Sequence, residues 1–206
     1  MGVDNVLFSP TGHRLIVVGS NEGSVYVYKT VNDDIGDKIA EIEQRTRTFN
    51  GSLKIAISSD SEILVIGANN GDIKVIDLIT GLEKFQFFHS GGVRSLALSA
   101  NGQWLVTGSR FNIDSPATVR IWETKTGRLL LEFEGSASEI VFGLDDKLLV
   151  TFDWGQNVNV QSWQLEDLIV ETCTRIPRNF TTDEWKEYFG DKPYHRTCSN
   201  LSQPAK

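Results

Sequence analysis

The stretch that decides the fold is SANGQWLVTGS at residues 99–109, followed by TVRIWE at residues 118–123. A turn of small and polar residues leads into an apolar strand that ends near a glycine, and a second strand closes on an aromatic residue. Asn101 and Gly102 suit the turn because both residue types tolerate a positive φ angle. The segment therefore predicts a β-hairpin.

The same pattern occurs elsewhere, as SPTGHRLIVVGSNEGSVYVYK from Ser9, SSDSEILVIGANNGDIKVID from Ser58, and EIVFGLDDKLLVTFDWGQNVNVQSW from Glu139. The closing position recurs at intervals of 48, 46 and 41 residues, at Tyr28, Ile76, Trp122 and Trp163. A period of about 40–45 residues is typical of a four-stranded propeller blade, and longer intervals place extra residues in loops. The sequence therefore predicts an all-β repeat fold.

The third repeat defines its four strands most clearly. The alternation of apolar with small or polar residues predicts a half-buried inner strand, and turn residues separate the strands that follow. The predicted strands are residues 93–98, 104–107, 118–122 and 129–133.

These repeats resemble the WD-repeat family of β-propellers over about residues 4–163, with Val119-Arg-Ile-Trp122 among the best-matching segments. The Gly-His dipeptide of the family appears here as Phe88-His89. The resemblance implies a structural role for His89, in a hydrogen-bond network with a turn residue. The terminal Trp-Asp also departs from the family pattern, as Tyr28-Lys29, Ile76-Asp77, Trp122-Glu123 and Trp163-Gln164.

The four predicted blades cover residues 1–40, 41–88, 89–134 and 135–163, approximately. No outer strand precedes the first inner strand at residues 6–8, and the pattern turns helical after Trp163. Closed propellers contain about four to eight blades. We therefore expect part of a larger propeller, or one that a partner completes. The completing element would be further blades from an upstream segment, a protein partner or a self-association, because exposed strand edges favour association.

Residues 164–206 are predicted to form a helical C-terminal extension. Apolar residues at helical spacing predict a first helix that Pro177 ends, and Thr181 with Glu184 has the spacing of a capping box at the start of a second. The apolar positions are Leu165, Leu168, Ile169, Cys173 and Ile176 in the first helix, and Trp185, Tyr188 and Phe189 in the second. These aromatic residues are expected to cap the last blade.

This extension is similar to the segment that follows WD repeats in bacterial, often cyanobacterial, signalling proteins. In those proteins the propeller serves as a sensor, so the resemblance implies a sensing role here. The matching positions are Cys173, Arg178, Asn179, Thr181, Glu184, Trp185, Tyr188, Tyr194, Cys198, Asn200 and Leu201.

The composition narrows the functional classes. The 206 residues carry a formal net charge of −7, which disfavours nucleic-acid binding. There is no apolar run of membrane-spanning length and no signal-peptide pattern at the start, so a cytoplasmic protein without a membrane role is expected. The two cysteines, Cys173 and Cys198, are therefore expected to be reduced thiols and not a disulfide.

A search for catalytic motifs identifies no candidate residue. The three histidines and two cysteines lack zinc-ligand spacing, and no phosphate-binding loop or nucleophile motif occurs. We therefore predict a non-catalytic interaction scaffold without cofactor or metal. Two alternatives stay open: an enzyme with its site in the central channel and, less favoured by the charge, a nucleic-acid-binding propeller.

The predicted partner-binding site is an insertion between the second and third strands of the third repeat. It contains Arg110, Phe111, Asn112, Ile113 and Asp114, where the second repeat has only a short turn. Loops carry function more often than the scaffold does, and arginine and aromatic residues are enriched in interfaces. The alternative is a neutral surface insertion. A second long segment, residues 31–49, is highly charged and predicted to be a mobile loop.

Overall fold

The computed structural model describes residues 2–19, 23–31, 34–43, 53–109, 116–143, 145–153 and 155–202. The chain divides into two compact units, Met1–Val160 and Gln161–Lys206. The first is built of antiparallel sheets and the second of short helices.

Four sheets make up the β-structure, and each follows the order of its strands along the chain. Sheet 1 contains β1 (Val3–Phe8), β2 (Arg14–Gly19), β3 (Ser24–Val31) and β4 (Asp34–Glu43). Sheet 2 contains β5 (Lys54–Ile57), β6 (Ile63–Gly67), β7 (Asp72–Asp77) and β8 (Glu83–Phe88). Sheet 3 contains β9 (Val93–Leu98), β10 (Trp104–Ser109), β11 (Thr118–Glu123) and β12 (Arg128–Glu134). Sheet 4 contains β13 (Glu139–Gly143), β14 (Leu148–Phe152) and β15 (Val158–Ser162).

These sheets confirm the predicted all-β architecture and every strand predicted for the third repeat. Within the described residues no strand follows β15, as predicted, because the chain enters a helix at Leu165. The prediction of a loop over residues 31–49 is wrong for residues 34–43, which form the outer strand β4. The charged residues of β4 suit that position because an outer strand has few buried side chains.

A buried serine closes the first hairpin in each of sheets 1 to 3. The hydroxyl oxygens of Ser9, Ser58 and Ser99 accept hydrogen bonds from the backbone N–H groups five residues later, at 3.1, 3.0 and 2.9 Å. All three serines are buried. The repeated Ser therefore satisfies a backbone donor at the point where the chain reverses.

Consecutive sheets pack face to face through rows of apolar side chains. We call the face of a sheet that points toward the preceding sheet its leading face, and the opposite face its trailing face. In sheet 2, the leading row is Ile57–Leu64–Ile76 and the trailing row is Ala56–Val65–Val75, as the strand register shows. The leading row packs on sheet 1 and the trailing row packs on sheet 3.

The interface between sheets 2 and 3 illustrates the packing. The leading row of sheet 3 is Leu98–Leu105–Trp122, and it contacts Val65 and Val75 of sheet 2. Leu105 and Val65 are fully buried. Burial of this kind contributes about 2 kcal/mol per large apolar side chain, which makes the rows the main source of stability in this unit.

Polar groups also join sheets 3 and 4. The Ser95 hydroxyl donates to the Ala137 carbonyl at 2.7 Å, and the Ala100 N–H donates to the Asp146 carboxylate at 3.0 Å. The inner strands β9 and β13 also pack against each other. The four sheets thus follow one another in space in the order in which they occur in the sequence.

The second unit contains α1 (Leu165–Arg175) and α2 (Thr182–Phe189). The predicted capping box is confirmed, since Thr181 accepts from the Glu184 N–H at 3.1 Å and Glu184 accepts from the Thr181 N–H at 2.8 Å. A bidentate ion pair with Arg178, followed by the Thr181 N–H, lowers the pKa of Glu184 to about 2. Gly190 ends α2 with a φ of 65°, a conformation that favours glycine.

The aromatic side chains of this unit pack with one another around Trp185, which is buried. Phe180, Phe189, Tyr194 and His195 surround its indole ring, with ring centroids 4.3 to 6.3 Å away. The indole N–H donates to a backbone carbonyl in the segment after α2. The expected role of these residues as a cap on the last blade stays a prediction.

The expectation of two reduced thiols is wrong, because Cys173 and Cys198 form a disulfide that joins α1 to the C-terminal segment. Asn179 positions the second cysteine: its side chain accepts from the Cys198 N–H at 2.8 Å and donates to the carbonyls of Cys198 and Leu201. A unit of this size buries little apolar surface and gains most from such a cross-link. Two cysteines 25 residues apart carry no spacing signal that would have predicted the bond.

Candidate partner-binding face

The predicted binding residues Arg110, Phe111, Asn112, Ile113 and Asp114 lie outside the described residues. The structure does describe both ends of the insertion. The chain leaves sheet 3 at the end of β10 and returns at the start of β11, where the two strands are already paired. The residues that hold these two ends therefore fix where the insertion leaves the sheet and where it returns.

A buried hydrogen-bond network holds both ends of the insertion. His89 lies at its centre, with Nδ1 2.8 Å from the Thr107 hydroxyl and Nε2 2.9 Å from the Thr118 hydroxyl. The Trp122 indole N–H donates to the Thr107 hydroxyl at 2.8 Å. The Thr118 N–H donates to the Ser109 hydroxyl at 2.9 Å, directly across the base of the insertion. All five residues are buried.

Burial holds the His89 ring of this network in its neutral form. Burial, with a smaller contribution from the Arg120 charge, lowers the pKa of His89 to about 3. The ring is therefore neutral at physiological pH, and its two nitrogens act as one donor and one acceptor. These contacts confirm that His89 belongs to a hydrogen-bond network, as the WD-repeat resemblance implies. Its partners Thr107 and Thr118, however, lie in strands β10 and β11 and not in a turn.

Two glycine-containing turns, residues 68–72 and 89–92, interlock. Gly71 has a φ of 99°, and a Cβ there would approach the carbonyl oxygen of His89 to 2.3 Å. Gly92 has a φ of 82°, and a Cβ there would lie 2.2 Å from the carbonyl oxygen of Asn69. Only glycine fits at either position. We call residues 68–72, 89–92 and 116–118 the platform.

Arg120 lies on the same face of β11 as Trp122 and connects the platform to strand β12. Its guanidinium group lies 5.7 Å from the Trp122 ring centroid, pairs with Glu132, and donates to the Ser90 hydroxyl at 3.1 Å. These contacts tie strand β11 to the turn before β9. Sequence reasoning did not single out Arg120. The only signal was its place two residues before Trp122 in a predicted strand, which puts both side chains on one face.

A second concave region of about 660 Å³ lies on the outer side of sheets 1 and 2. Four of the ten residues that line it are acidic: Glu41, Glu43, Asp72 and Glu83. Lys74 neutralises part of this charge, with Nζ 3.2 Å from the Glu83 carboxylate and 3.0 Å from the Glu43 carbonyl oxygen. Lys74 thus forms an ion pair with one of the acidic side chains of this lining, Glu83.

In the part of the chain that the structure describes, no three His, Cys, Asp or Glu side chains come together to hold a metal ion. Its helices are also too short or too polar to span a membrane.

Comparison with known proteins connects this geometry to the WD-repeat class. Residues 83–123 match the model of the family described as "WD domain, G-beta repeat". The match begins with β8 and ends with β11, and so contains His89, Thr107, Thr118 and Trp122. The segment that matches the family is therefore the one that carries the buried network.

Individual relatives extend the similarity over more of the chain. It is 27% identical over 126 residues to the WD repeat-containing protein SL1-17 of Schistosoma mansoni, covering 61% of this chain and 38% of that protein. It is 26% identical over 102 residues to pre-mRNA-processing factor 19 of Schizosaccharomyces pombe, covering 48% of this chain and 20% of that protein. A 42-residue segment is 45% identical to the ribosome biogenesis protein BOP1 homolog of Oryza sativa subsp. japonica, covering 20% of this chain and 6% of that protein.

These similarities support the WD-repeat resemblance of the β-sheet unit. The chain spans well under half the length of each of these relatives. The resemblance of residues 164–206 to the extension of bacterial signalling proteins stays a prediction.

Proposed function

We propose that this chain is a non-catalytic protein-interaction scaffold that presents the 110–115 insertion and the adjoining platform to a protein partner. The rigid attachment of the insertion supports this proposal. Five buried side chains hydrogen-bond around its base, and one of them, His89, belongs to a pair of interlocked glycine turns. A loop with fixed ends loses less conformational entropy on binding than a loop on a mobile support.

One relative is named a pre-mRNA-processing factor and another a ribosome biogenesis protein, and neither name states a catalytic activity. The helical extension supports a more specific form of the proposal. In that form the chain is the sensing part of a bacterial signalling protein in the cytoplasm, and its partner is the effector that the sensor controls.

The test replaces the two residues of the insertion with the strongest interface chemistry, Arg110→Ala and Phe111→Ala together. The expected result is an unchanged fold, measured by circular dichroism, and at least a tenfold loss of affinity for the partner. The partner is first captured from nuclease-treated lysate and identified by mass spectrometry, and the affinity is then measured with purified proteins.

The matched control is Arg128→Ala with Leu129→Ala, an exposed arginine and apolar pair on outer strand β12 of the same sheet. This control is expected to retain partner affinity. Equal affinities of the two double variants would remove the insertion from consideration. Binding that is lost at high salt and restored by added nucleic acid would instead favour the nucleic-acid alternative.

A further inference from the structure

The trailing face of sheet 4 is apolar and exposed. Val141 pairs with Val150 across β13 and β14, and this row occupies the position of Ala56–Val65 in sheet 2 and Ala97–Val106 in sheet 3. Val65 and Val106 are fully buried, whereas Val141 is 48% exposed. The row that is packed in the two middle sheets therefore has no such cover in sheet 4.

The third strand of sheet 4 shows the same difference. Counted back from the closing aromatic, Val160 corresponds to Val119 of sheet 3, which is 2% exposed. Val160 itself is 59% exposed, and Phe152 on the neighbouring strand is 39% exposed. A contiguous apolar face of this kind marks an interaction surface.

The leading face of sheet 1, which is the face opposite the one that packs on sheet 2, carries exposed larger apolar side chains. Phe8 pairs with Leu15, as Ile57 pairs with Leu64 and Leu98 with Leu105 in the sheets that follow. Ile57 packs against the sheet that precedes its own, whereas Phe8 is 63% exposed. Val6, two residues earlier on the same face of β1, is 51% exposed. Leu15 is sheltered, so the open part of this face lies along β1.

The two exposed faces are the two halves of one recurring interface. Within the chain, a trailing row of small or β-branched residues receives a leading row of larger apolar residues where sheet 2 packs on sheet 3. Sheets 1 and 2 also pack through apolar rows. Sheet 4 offers an open trailing row with Val141 and Val150, and sheet 1 offers an open leading row with Phe8.

We propose that the trailing face of sheet 4 binds the leading face of sheet 1 in a second copy of this chain. The partner is a second copy because each copy supplies both halves of the contact that already joins its own sheets. A two-fold axis makes two such contacts and closes a ring of eight sheets, four from each chain, which is within the range of closed propellers. This inference goes beyond the proposed function and is independent of the insertion at residues 110–115.

The test measures the mass of the purified full chain by sedimentation velocity over a wide concentration range. The expected particle has twice the 23.0 kDa chain mass. Two variants each disable one half of the contact: Val6→Lys with Phe8→Lys on the leading face, and Val141→Lys with Val160→Lys on the trailing face. Both are expected to sediment as monomers with unchanged circular dichroism, because a charge at each site must be desolvated on association.

Mixing the two variants tests the polarity of the contact. The mixture has one intact trailing face and one intact leading face, so it is expected to regain a dimer, joined through one contact and weaker than the native one. The matched control is Ile79→Lys with Leu82→Lys, two residues in a turn of sheet 2 that are 59% and 67% exposed. This control is expected to remain dimeric.

A monomeric native chain would overturn the inference, and so would a dimer that persists in both face variants. A chain that becomes dimeric only when fused to further repeats would assign the exposed faces to a longer form of the protein, and would also overturn it. None of these results bears on the 110–115 insertion. A failure of partner capture there would contradict the scaffold proposal and leave the dimer intact.

Discussion

The two units of the molecule are each stabilised by a different kind of internal interaction. The middle sheets of the first unit bury apolar rows on both faces, and residues such as Leu64, Val65 and Ile76 are almost fully shielded from solvent. The helical unit buries few side chains, among them Trp185 and Asn179. Specific links hold it instead: the disulfide, the three hydrogen bonds of Asn179 and the capping box of α2.

This difference follows from size and shape. A stack of sheets buries both faces of every inner member, so stability accumulates with each repeat. A unit of about 46 residues exposes most of its surface and needs covalent or polar links at particular points. The first unit is therefore expected to be most sensitive to changes in side-chain volume, and the second to the loss of single links.

The largest effect is expected for Leu105→Ala, in the leading row of sheet 3. The side chain is fully buried, and its removal should lower the free energy of unfolding by about 4 kcal/mol through lost burial and the cavity left behind. Urea denaturation followed by circular dichroism measures the change. The control is Leu131→Ala on β12, where the leucine is 38% exposed and the expected loss is well under half as large. Similar losses at both positions would contradict the packing of the rows.

An intermediate effect is expected for removal of the disulfide by Cys173→Ser with Cys198→Ser. Opening a loop of 25 residues should destabilise the helical unit by about 3 kcal/mol, since the cross-link restricts the unfolded chain. Hydrogen exchange should speed up in α1 and in the segment around Asn179, and stay unchanged in sheets 2 and 3.

A reducing agent provides the matched condition for this experiment. It should reproduce the exchange pattern of the double variant in the native chain and have no further effect on the variant itself. Faster exchange throughout the sheets would contradict the description of two separately stabilised units.

The smallest effect is expected from the titration of His89. Its pKa is about 3 in the folded chain and about 6.5 when unfolded, so the unfolded state alone binds a proton between these values. This residue's contribution to stability is therefore complete above pH 6.5 and decreases as the pH falls, by about 2 kcal/mol at pH 5. Denaturation at pH 7, 6 and 5 measures the slope.

The control for this titration is His89→Gln, which keeps hydrogen-bonding capacity but does not titrate. Its stability at pH 7 is expected to be lower than that of the native chain, and its pH slope between 7 and 5 shallower. Carboxylates with lowered pKa values lose their contribution to the free energy of unfolding only at more acidic pH. The pKa of Asp77, for example, is lowered to about 2, mainly by its hydrogen bond with Lys84. A native slope as shallow as that of His89→Gln would contradict the neutral buried state of the ring.

Much of the fold is predictable because its signals are local. The turn residues before each apolar strand and the closing residues Tyr28, Ile76 and Trp122 determine strand positions without knowledge of the tertiary structure. The capping box at Thr181 and Glu184 is equally local, since its two hydrogen bonds span three residues. Such features can be predicted from one sequence because neighbours in the chain form them.

The features that were missed depend on distant contacts. The Cys173–Cys198 bond requires Asn179 to hold the C-terminal segment against α1, and no spacing rule encodes that arrangement. Strand β4 was mistaken for a loop because its charges suggest exposure, although its backbone pairs with β3. At the candidate site, composition identified the insertion, but the part played by Arg120 and Thr118 becomes visible only once the strands are paired.

The serine hydroxyls at the first hairpins have a consequence for how this chain tolerates changes of length. Because Ser99 bonds to the N–H of Trp104, the number of residues between them is fixed by a side chain, and the same holds for Ser9 and Ser58. One residue added inside this interval would turn every side chain of β10 to the opposite face of its sheet. Residues added between Ser109 and Thr118 leave the strand register intact. Natural variation in length should therefore collect in the insertion and be excluded from the serine turns.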